Sequence, residues 1–558
     1  MSTLPVIPIL DENISVSDAI QFNMAHNAAQ PLYVFADSSA PSGIKTITHL
    51  EFGRAAHRVA HLLRPNRNGV DGEVVALILQ ADTVLYQALV AGLIVAGCVP
   101  LAISPRNSPG AIIELLTKTS CRRLLTTHAY LRPLIDSIKS HITGTPFVDE
   151  LQIEEMPSIA SVYPYLAHET EEHPFQSYPS PTQQPTEDDI CLYLHSSGST
   201  GNPRPIRINH CFWLHWQVGA YSSHLKLHNP RLTIGCMCMP PFHAFGIGMQ
   251  LFSAVYGVFC IAVYPPTSAL PELLPPIVPS PENILEHMKL TKSDILVAPP
   301  TLYQIWATSP EAVKYLKTLR HAVYGGGPLA PKMGDLLVEA GVKLNATYGG
   351  TEFGFTATFL PHADKDPKDW EYMKFNDQMK PRWVAQGDGT FELQLLSHKN
   401  HKIMVDNLPD VPGYATSDLW RPHPTKNGLW KVVGRIDDVI VHSSGEKTVP
   451  APMEAIIISD PLVRGAVVFG RERDHTGILI EPEPERGIDV TDHSQLASLR
   501  NKLWPTIEEA NSIAPGHSRI FKEMILITSK EKPLPITPKG TVARKAAIKL
   551  YEEEINAL

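Results

Sequence analysis

Short apolar runs recur along the chain, and each is followed by a helical pattern or by a glycine turn. Examples of such runs are residues 73–79, 123–126, 295–298 and 322–324. Strands that alternate with helices in this way indicate parallel sheets with helices packed on them. The pattern therefore predicts an α/β protein whose larger part is built from parallel-sheet layers.

The longest apolar run covers residues 85–103, and it is interrupted by polar and helix-breaking residues. Gln87, Gly92, Gly97 and Pro100 all lie within it. A membrane span needs about 20 predominantly apolar residues in one helix. The run therefore predicts a short buried helix followed by a strand over residues 98–102, and no membrane contact.

Two polar, proline-bearing segments, residues 168–188 and 264–283, interrupt the alternating pattern, and the second contains seven prolines. Both are too short for an interdomain tether, so they predict ordered surface loops.

Near residue 434 the pattern changes to the compact segment GRIDDVIVHSSGEK, a strand at 465–469 and a basic tail. We predict a large N-terminal body over residues 1–436 and a small, mobile α+β domain over 437–558.

Composition excludes several functional classes. The chain has 558 residues, of which 43% are hydrophobic and 19% are charged, with a net charge of −9. This balance is typical of a globular protein with an ample core and gives no indication of nucleic-acid binding. The seven cysteines form no CxxC pair, and no Lys or Arg precedes Lys45 as a signal peptide would require. We therefore expect a reduced, cytoplasmic protein.

A run of hydroxyl and glycine residues directly follows the apolar stretch 190–194. It consists of Ser196, Ser197, Gly198, Ser199, Thr200 and Gly201, with Arg204 shortly after. Successive backbone N–H groups in such a loop can bind an anion, and hydroxyls and arginines add donors. No Gly-Lys-Ser/Thr follows, so the run is not a Walker A loop. Considered alone, it fits either a phosphate site or a flexible surface loop.

Three further motifs each have two interpretations. In the segment ATYGGTE, Thr351 and Glu352 could hold Mg²⁺ on phosphate oxygens, or could simply form a tight turn. Asp418 in YATSD could accept hydrogen bonds from a ribose diol, or could begin a helix. Lys539, on a Pro/Gly-bounded loop, could reach a phosphate, or could belong to a solvated basic face.

The order of the motifs resembles that of the adenylate-forming superfamily, which includes acyl-CoA synthetases and adenylation domains. The resemblance covers nearly the whole chain and rests on the Ser/Thr/Gly loop, PPFHAFG (240–246), YGGTE (348–352), YATSD (414–418), GRIDD (434–438) and the Lys539 loop. The segments 442–457 and 538–555 are similar to the adenylation domain of fungal carboxylic acid reductases related to nonribosomal peptide synthetases. In those proteins a carrier and a reductase domain follow.

This resemblance implies that a carboxylic acid reacts with ATP and Mg²⁺ to give acyl-AMP and pyrophosphate. The phosphate contacts would come from Ser196 to Gly201 with Arg204, and from Thr351 at the α-phosphate, while Glu352 would hold Mg²⁺. The nucleoside would be bound by Ala346, Thr347, Tyr348, Gly325, Gly326, Asp418 and Arg435. The acid pocket would be lined by His243, Phe245, Val297, Pro299, Gly325 and Gly350. The catalytic residues would be Lys539, His243, Glu352 and Thr351.

The resemblance also implies a second step. The C-terminal domain would swing about Asp437, and the segment 443–447 would then line a tunnel for a phosphopantetheine thiol, carried by a carrier domain or by CoA. Because Phe242 to Phe245 offer no Asp for an α-ammonium group, we expect a small carboxylic acid without one. The other two interpretations are a freestanding acid–CoA ligase and a catalytically silent nucleotide-binding or scaffold module.

Three positions depart from the family pattern. Arg204 stands where lysine is common, Ser417 stands where glycine is frequent, and Thr541 stands where the catalytic lysine usually follows the glycine of the tail. A guanidinium keeps the charge of an ammonium but presents it as a planar fork. We expect Lys539 to be the catalytic lysine, with Lys545 as the alternative.

Overall fold

The structure of the protein is a computed structural model, which describes residues 5–8, 14–143, 150–197, 203–217, 232–270, 274–360, 365–387, 389–537 and 541–558. It confirms the α/β fold class: two mostly parallel sheets with helices packed on them are followed by a third, antiparallel sheet and a smaller C-terminal sheet.

The first sheet has seven strands, in the spatial order Leu344–Ala346, His321–Tyr324, Ile295–Ala298, Thr233–Gly235, Cys260–Ala262, Pro31–Ala36 and Ile44–Thr48. Neighbouring strands are parallel except for the last two, which pair in antiparallel fashion. All four residues of Ile295–Ala298 are buried. Such apolar runs are typical of parallel strands that are covered on both faces.

The second sheet has six strands, in the order Gln152–Glu155, Arg123–Thr126, Val74–Ile78, Val99–Ala102, Ile190–Ser197 and Pro203–Asn209. Its last two strands form an antiparallel hairpin. The first strand of this hairpin continues through Ser196 and Ser197, so the expectation that the loop begins directly after Leu194 is wrong. Pairing with the returning strand is the physical reason, because it extends the ladder into the hydroxyl run.

Three smaller groups of strands complete the sheets. The antiparallel third sheet has the order Met373–Lys374, Leu429–Arg435, Gly413–Pro422, Phe391–Leu396 and Pro381–Ala385. Two short pairs join Gly349–Gly350 to Gly354–Phe355 and Ile440–Val441 to Lys447–Thr448. The C-terminal sheet contains Val463–Phe469, Thr476–Pro482 and Ile520–Ile527.

Several helices begin at proline, which suits a first helical turn because proline lacks the N–H that this turn leaves unbonded. Prolines begin the helices at 109, 281, 300, 310 and 331, and the side chains of Ser108, Ser280 and Ser309 cap three of these. The α-helices are Val16–His26, His49–Leu63, Thr83–Val95, Pro109–Lys118, His128–Ile142, Ile159–Val162, His210–Trp216, Ala244–Ile247, Ala254–Gly257, Pro281–Leu290, Pro300–Ala307, Pro310–Leu316, Pro331–Glu339, Ala451–Ile458, His493–Ser512, Arg544–Leu550 and Glu552–Asn556, and Gly248–Ser253 is a π-helix.

The helix Thr83–Val95 is buried almost all round, and it packs against His49–Leu63 in the largest hydrophobic core. A helix that is apolar on every face is expected in such a position. The prediction of a buried helix followed by a strand is therefore confirmed. Among the residues that the structure describes, no helix combines the length and the apolar character that a membrane crossing requires.

Both predicted surface excursions are tied to the body by charged side chains. In the first, Arg54 donates to the Glu169 carboxylate at 3.1 Å and to the carbonyl oxygen of Thr170 at 2.9 Å. In the second, the Asp82 carboxylate accepts the backbone N–H groups of Thr267 and Ser268 at 3.1 and 3.0 Å. These hydrogen bonds hold the described parts of both polar segments against the body.

Candidate active site

Three neighbouring parallel strands of the first sheet end side by side, and residues from separate motifs follow them. The residues directly after these strands are Pro299, Gly325 and Thr347. In open α/β sheets, ligands bind outside the carboxyl ends of the strands. The predicted residues thus meet at the edge of the sheet where a ligand is expected.

Gly325 lies directly against Thr347 and Phe245. A Cβ atom on Gly325 would lie 2.7 Å from Thr347 Cγ2 and 3.4 Å from Phe245 Cε1. The first distance is well inside the usual carbon–carbon separation of about 3.5 Å, so a side chain here would displace Thr347. The Thr347 N–H donates to the Tyr324 carbonyl at 2.9 Å, which fixes the two strand ends together. The structure brings these predicted residues into contact.

The other predicted pocket residues differ in their exposure. Gly326 has a φ of 86°, in the region that favours glycine. Ala346 and Val297 are buried in their strands, Val297 in the main core, whereas Pro299 is half-buried at its strand end. A Cβ on Gly350 would lie 2.5 Å from the Phe353 ring, so that turn also requires glycine.

Tyr348, Asp418 and Arg435 form a hydrogen-bonded group. The Tyr348 hydroxyl donates to Asp418 Oδ2 at 2.5 Å, and Arg435 Nη1 donates to Asp418 Oδ1 at 3.1 Å. Burial and the nearby Asp418 carboxylate raise the pKa of Tyr348 well above its usual value, so its hydroxyl keeps its proton near neutral pH. A protonated hydroxyl and a guanidinium therefore hold the carboxylate in one orientation.

Asp418 lies within the strand Gly413–Pro422 at an irregularity in the sheet. The pairing register shifts on both sides of this point, and Ser417 has a φ of 58°. Asp418 does not begin a helix, so that alternative for it is wrong. Bulges of this type redirect a side chain out of the regular alternation.

Thr351 and Glu352 lie in the turn between the short strands Gly349–Gly350 and Gly354–Phe355, and both are partly exposed. The Met404 N–H donates to the Glu352 carbonyl at 2.8 Å. Burial, together with the Glu352 carboxylate, raises the pKa of Tyr414 to about 12. Glu352 thus presents a carboxylate from a turn whose backbone is held in place.

His243 caps the helix Ala244–Ile247. Its Nδ1 accepts the backbone N–H of Phe245 at 3.3 Å, so the neutral imidazole carries its proton on Nε2. A Cβ on Gly246 would lie 2.0 Å from the Pro240 carbonyl oxygen, which explains the glycine in PPFHAFG. The neutral form of His243 therefore has a defined tautomer, with its N–H on Nε2.

Of the predicted phosphate residues, Ser196 and Ser197 end a strand and pair with Arg204 and Pro203 of the returning strand. Arg204 is exposed. Gly198, Ser199, Thr200 and Gly201 lie outside the described residues. A histidine that sequence reasoning did not select, His195, precedes them. Its Nε2 accepts the Ser104 N–H at 3.2 Å, and burial lowers its pKa to about 4.

Asp437 lies in the single 3₁₀ turn Ile436–Asp438, which links the third sheet to the C-terminal part of the chain. Its carboxylate pairs with Arg435 Nη2 at 3.4 Å. Directly after it, Asp438 pairs with Arg544 at 3.3 Å. The predicted hinge residue thus lies between two arginine contacts.

Lys539 lies outside the described residues. The residues flanking its loop are paired: the Thr537 N–H donates to the Thr541 carbonyl at 2.7 Å. Lys545 is exposed on the helix Arg544–Leu550. Of the two candidate lysines, Lys545 therefore belongs to a helix surface.

The sequence profile described as AMP-binding enzyme matches residues 24–381, which is more than half of the chain. The chain belongs to the AMP-binding enzyme family. The profile described as AMP-binding enzyme C-terminal domain matches residues 437–558 of this AMP-binding enzyme.

Curated relatives of this AMP-binding enzyme include adenylate-forming reductase Nps11 of Serpula lacrymans, 46% identical over 99% of this chain and 50% of the relative. A carboxylic acid reductase of Neurospora crassa is 28% identical over 93% of this chain and 48% of the relative. The chain spans about half the length of the curated relatives that it matches. The expected similarity to fungal adenylate-forming reductases and carboxylic acid reductases is therefore confirmed.

Solved structures share the fold of this AMP-binding enzyme. The adenylation domain of a carboxylate reductase from Mycobacterium chelonae has a TM-score of 0.71 at 16% identity, covering 98% of this chain and 91% of that one. An anthranilate CoA ligase in complex with anthranoyl-AMP has a TM-score of 0.72 at 20% identity, covering 98% and 99%. The expected fold is therefore confirmed.

Proposed function

We propose that this chain uses ATP to activate a carboxylic acid as acyl-AMP, releases pyrophosphate, and passes the acyl group to the phosphopantetheine thiol of a carrier domain. The observation that carries the proposal is the hydrogen-bonded group formed by Tyr348, Asp418 and Arg435. Tyr348 directly follows Thr347, which lies against Gly325 at the strand ends. An oriented carboxylate beside an open strand edge is suited to a ribose diol.

In this proposal the nucleoside lies along the strand ends. Asp418 accepts the ribose hydroxyls, and Arg435 keeps the carboxylate charged and oriented. Ala346, Thr347 and Tyr348 border one side of the adenine, with Gly325 and Gly326 on the other. The absence of side chains on the two glycines allows a flat ring to approach the backbone.

Glu352 and Thr351 are the proposed magnesium contacts. A carboxylate and a hydroxyl are oxygen donors of the type that Mg²⁺ prefers, and this ion usually keeps waters and substrate phosphates as its other ligands. Among the described residues no group of three or more His, Cys, Asp or Glu side chains could hold a metal, which agrees with a site completed by the nucleotide. When bound, the ion supplies positive charge to the phosphate oxygens.

The first reaction brings two anions together, so positioning and charge neutralisation are its main requirements. A carboxylate oxygen forms a bond to the α-phosphorus, and the bond to the bridging oxygen breaks, so that its electron pair leaves with pyrophosphate. Ser196 through Gly201 and Arg204 would hold the departing pyrophosphate. The Nε2–H of His243 would donate to the carboxylate, and Lys539 would stabilise the developing charge.

The acid would bind among His243, Phe245, Val297, Pro299, Gly325 and Gly350. The contact between Phe245 and Gly325 supports this choice, because it brings an apolar ring to the strand edge. No carboxylate in Phe242 to Phe245 could accept an α-ammonium group. We therefore propose a substrate without an α-amino group.

In the second step the thiol sulfur would bond to the acyl carbon, AMP would leave with the electron pair of the broken bond, and the thiol proton would pass to solvent. We propose that the division at residues 436 and 437 separates the two moving parts and that Asp437 is their hinge. The segment 443–447 would then face the thiol.

ATP–pyrophosphate exchange tests the first step. We expect exchange with at least one aromatic or small aliphatic acid and none with amino acids. Asp418→Ala should raise the KM for ATP at least tenfold, since hydrogen bonds to a charged group contribute about 1.5–3 kcal/mol. Asp410→Ala is the matched control, because Asp410 is an exposed carboxylate paired with Arg382.

Two other outcomes would replace the proposal. Exchange with no acid, in a protein that unfolds cooperatively, would favour a catalytically silent binding module. Formation of acyl-CoA by this chain alone, with no acyl transfer to a purified carrier domain, would favour a freestanding acid–CoA ligase.

A further inference from the structure

Two buried glutamine side chains hold the backbone that leads into His243. Gln87 lies on the helix Thr83–Val95, and Gln250 lies on the π-helix Gly248–Ser253. Both residues have 0% exposure. A glutamine is rarely so deeply buried unless its amide is hydrogen-bonded, so the partners of these two amides indicate why they are there.

The Gln250 amide is fully used. Its Nε2 donates to the carbonyl oxygens of Cys236 at 3.1 Å and Met239 at 2.9 Å. Its Oε1 accepts from Gln87 Nε2 at 3.0 Å. The two carbonyls lie on either side of one backbone turn, in which the Met239 N–H donates to Cys236 at 3.0 Å.

Gln87 extends the same network to the next carbonyl. Its Nε2 donates to the Pro241 oxygen at 3.2 Å as well as to Gln250. Its Oε1 has no partner among the described residues. The carbonyl oxygens of Cys236, Met239 and Pro241 all accept hydrogen bonds and therefore need donors. Both glutamine amides are for this reason oriented with their nitrogens toward these carbonyls. The amides are therefore retained for their N–H groups.

The held backbone leads directly into His243. The His243 N–H donates to the Pro240 carbonyl at 3.1 Å, between the carbonyls that the glutamines bind. The Phe245 N–H then fixes Nδ1 of the ring at 3.3 Å. Gly246 packs closely against this turn, since a Cβ there would lie 2.0 Å from the Pro240 oxygen. A shift of the glutamine-held turn would thus shift the imidazole.

We propose that Gln87 and Gln250 are positioning residues that set where Nε2 of His243 meets the acid. The inference rests on the proposed function, and it adds an amide pair from two separate helices as a determinant of acid recognition. π-Helical turns occur frequently at functional sites, and this one contributes the central amide.

The test compares Gln87→Met with His243→Ala and with the double variant in ATP–pyrophosphate exchange. Methionine retains the length of glutamine but not its N–H donors. We expect Gln87→Met to lower kcat/KM for the acid by about tenfold to a hundredfold, with the KM for ATP within twofold of the parent, because small misplacements near the chemistry cost that much. In the His243→Ala background the same change should lower kcat/KM by less than twofold.

Asn23→Leu is the matched control. Asn23 is also buried, and its Nδ2 donates to the Val255 carbonyl at 2.7 Å, beyond the π-helix and away from His243. Asn23→Leu should lower the melting temperature as Gln87→Met does. Its effect on kcat/KM, however, should be independent of His243, so that in the double variant with His243→Ala the two fold-losses multiply. The inference is overturned if the fold-losses in kcat/KM of Gln87→Met and His243→Ala also multiply in the double variant. It is likewise overturned if Gln87→Met raises the KM for the acid and the KM for ATP equally. If the parent protein itself shows no ATP–pyrophosphate exchange, the proposed function is wrong, and this result is distinct from a failure of the inference about the glutamines.

Discussion

At the scale of single residues, the backbone of Ser417 adopts a left-handed conformation, with a φ of 58°. The side chains of non-glycine residues disfavour this region by about 1–2 kcal/mol. We expect Ser417→Gly to raise the free energy of unfolding by about 1 kcal/mol, and Ser417→Val to lower it by at least that amount, in chemical denaturation. Glycine and valine variants of equal stability would show that the bulge does not constrain this position.

The position of Ser417 also shows what the sequence could and could not predict at this scale. The departure from glycine was visible in YATSD, but the bulge that makes glycine favourable depends on pairing with residues 391–396 and 429–435. Likewise, Tyr348 and Asp418 were each predicted from a separate motif. The hydrogen bond between them joins positions 70 residues apart and could not be predicted from either motif. Gln87 lies in an apolar run with no local signal of a role.

At the scale of elements, apolar runs that pair with parallel neighbours were predicted closely. The strands Arg123–Thr126 and Ile295–Ala298 occur at the predicted bounds. The hydroxyl run after Leu194 was expected as a loop, yet its first two residues extend the strand. The reason is the antiparallel partner Pro203–Asn209, whose pairing depends on the hairpin as a whole.

The choice between two lysines gives a prediction at this scale. Lys539 lies outside the described residues and is the lysine that the proposed function assigns to the developing charge, whereas Lys545 lies on an exposed helix surface. We expect Lys539→Ala to lower adenylation in pyrophosphate exchange about a hundredfold to a thousandfold, the range for loss of one group that stabilises transition-state charge. Lys545→Ala should retain it within twofold. Loss of adenylation only in Lys545→Ala would reverse the assignment.

Arg544 ties the helix Arg544–Leu550 to the residues that follow the proposed hinge Asp437. It pairs with Glu454 and with Asp438, and donates to the Val468 carbonyl at 2.8 Å. Removing it leaves the largely buried Glu454 carboxylate without its partner, and such losses cost about 3–5 kcal/mol. We expect Arg544→Met to lower the free energy of unfolding by about 3 kcal/mol in urea denaturation.

Arg132→Met is the control for this change. Arg132 pairs with Asp136 at 3.8 Å, and both side chains are mostly exposed. An exposed pair contributes about 0–1 kcal/mol, so this variant should be nearly as stable as the parent. Equal losses in the two variants would contradict a specific role for the Arg544 contacts.

At the scale of the whole molecule, buried histidines make stability depend on pH. Burial lowers the pKa of His49 to about 3, and it lowers to about 4 the pKa values of His57, His195, His210, His215 and His401. In the unfolded chain the same groups titrate near 6.5. Between about pH 6.5 and 4 the unfolded state therefore binds more protons, so stability falls as the pH falls.

Glu51 acts in the opposite direction, because burial raises its pKa to about 8 and the folded state keeps its proton. With this one carboxyl set against the six histidines, unfolding near pH 5.5 takes up about four protons in total. We expect the melting temperature to be clearly lower at pH 5.5 than at pH 7.5. His49→Gln should reduce the slope of stability against pH by about one proton, whatever its effect on stability itself. A melting temperature that is constant or rises toward pH 5.5 would show that these histidines bind protons without unfolding.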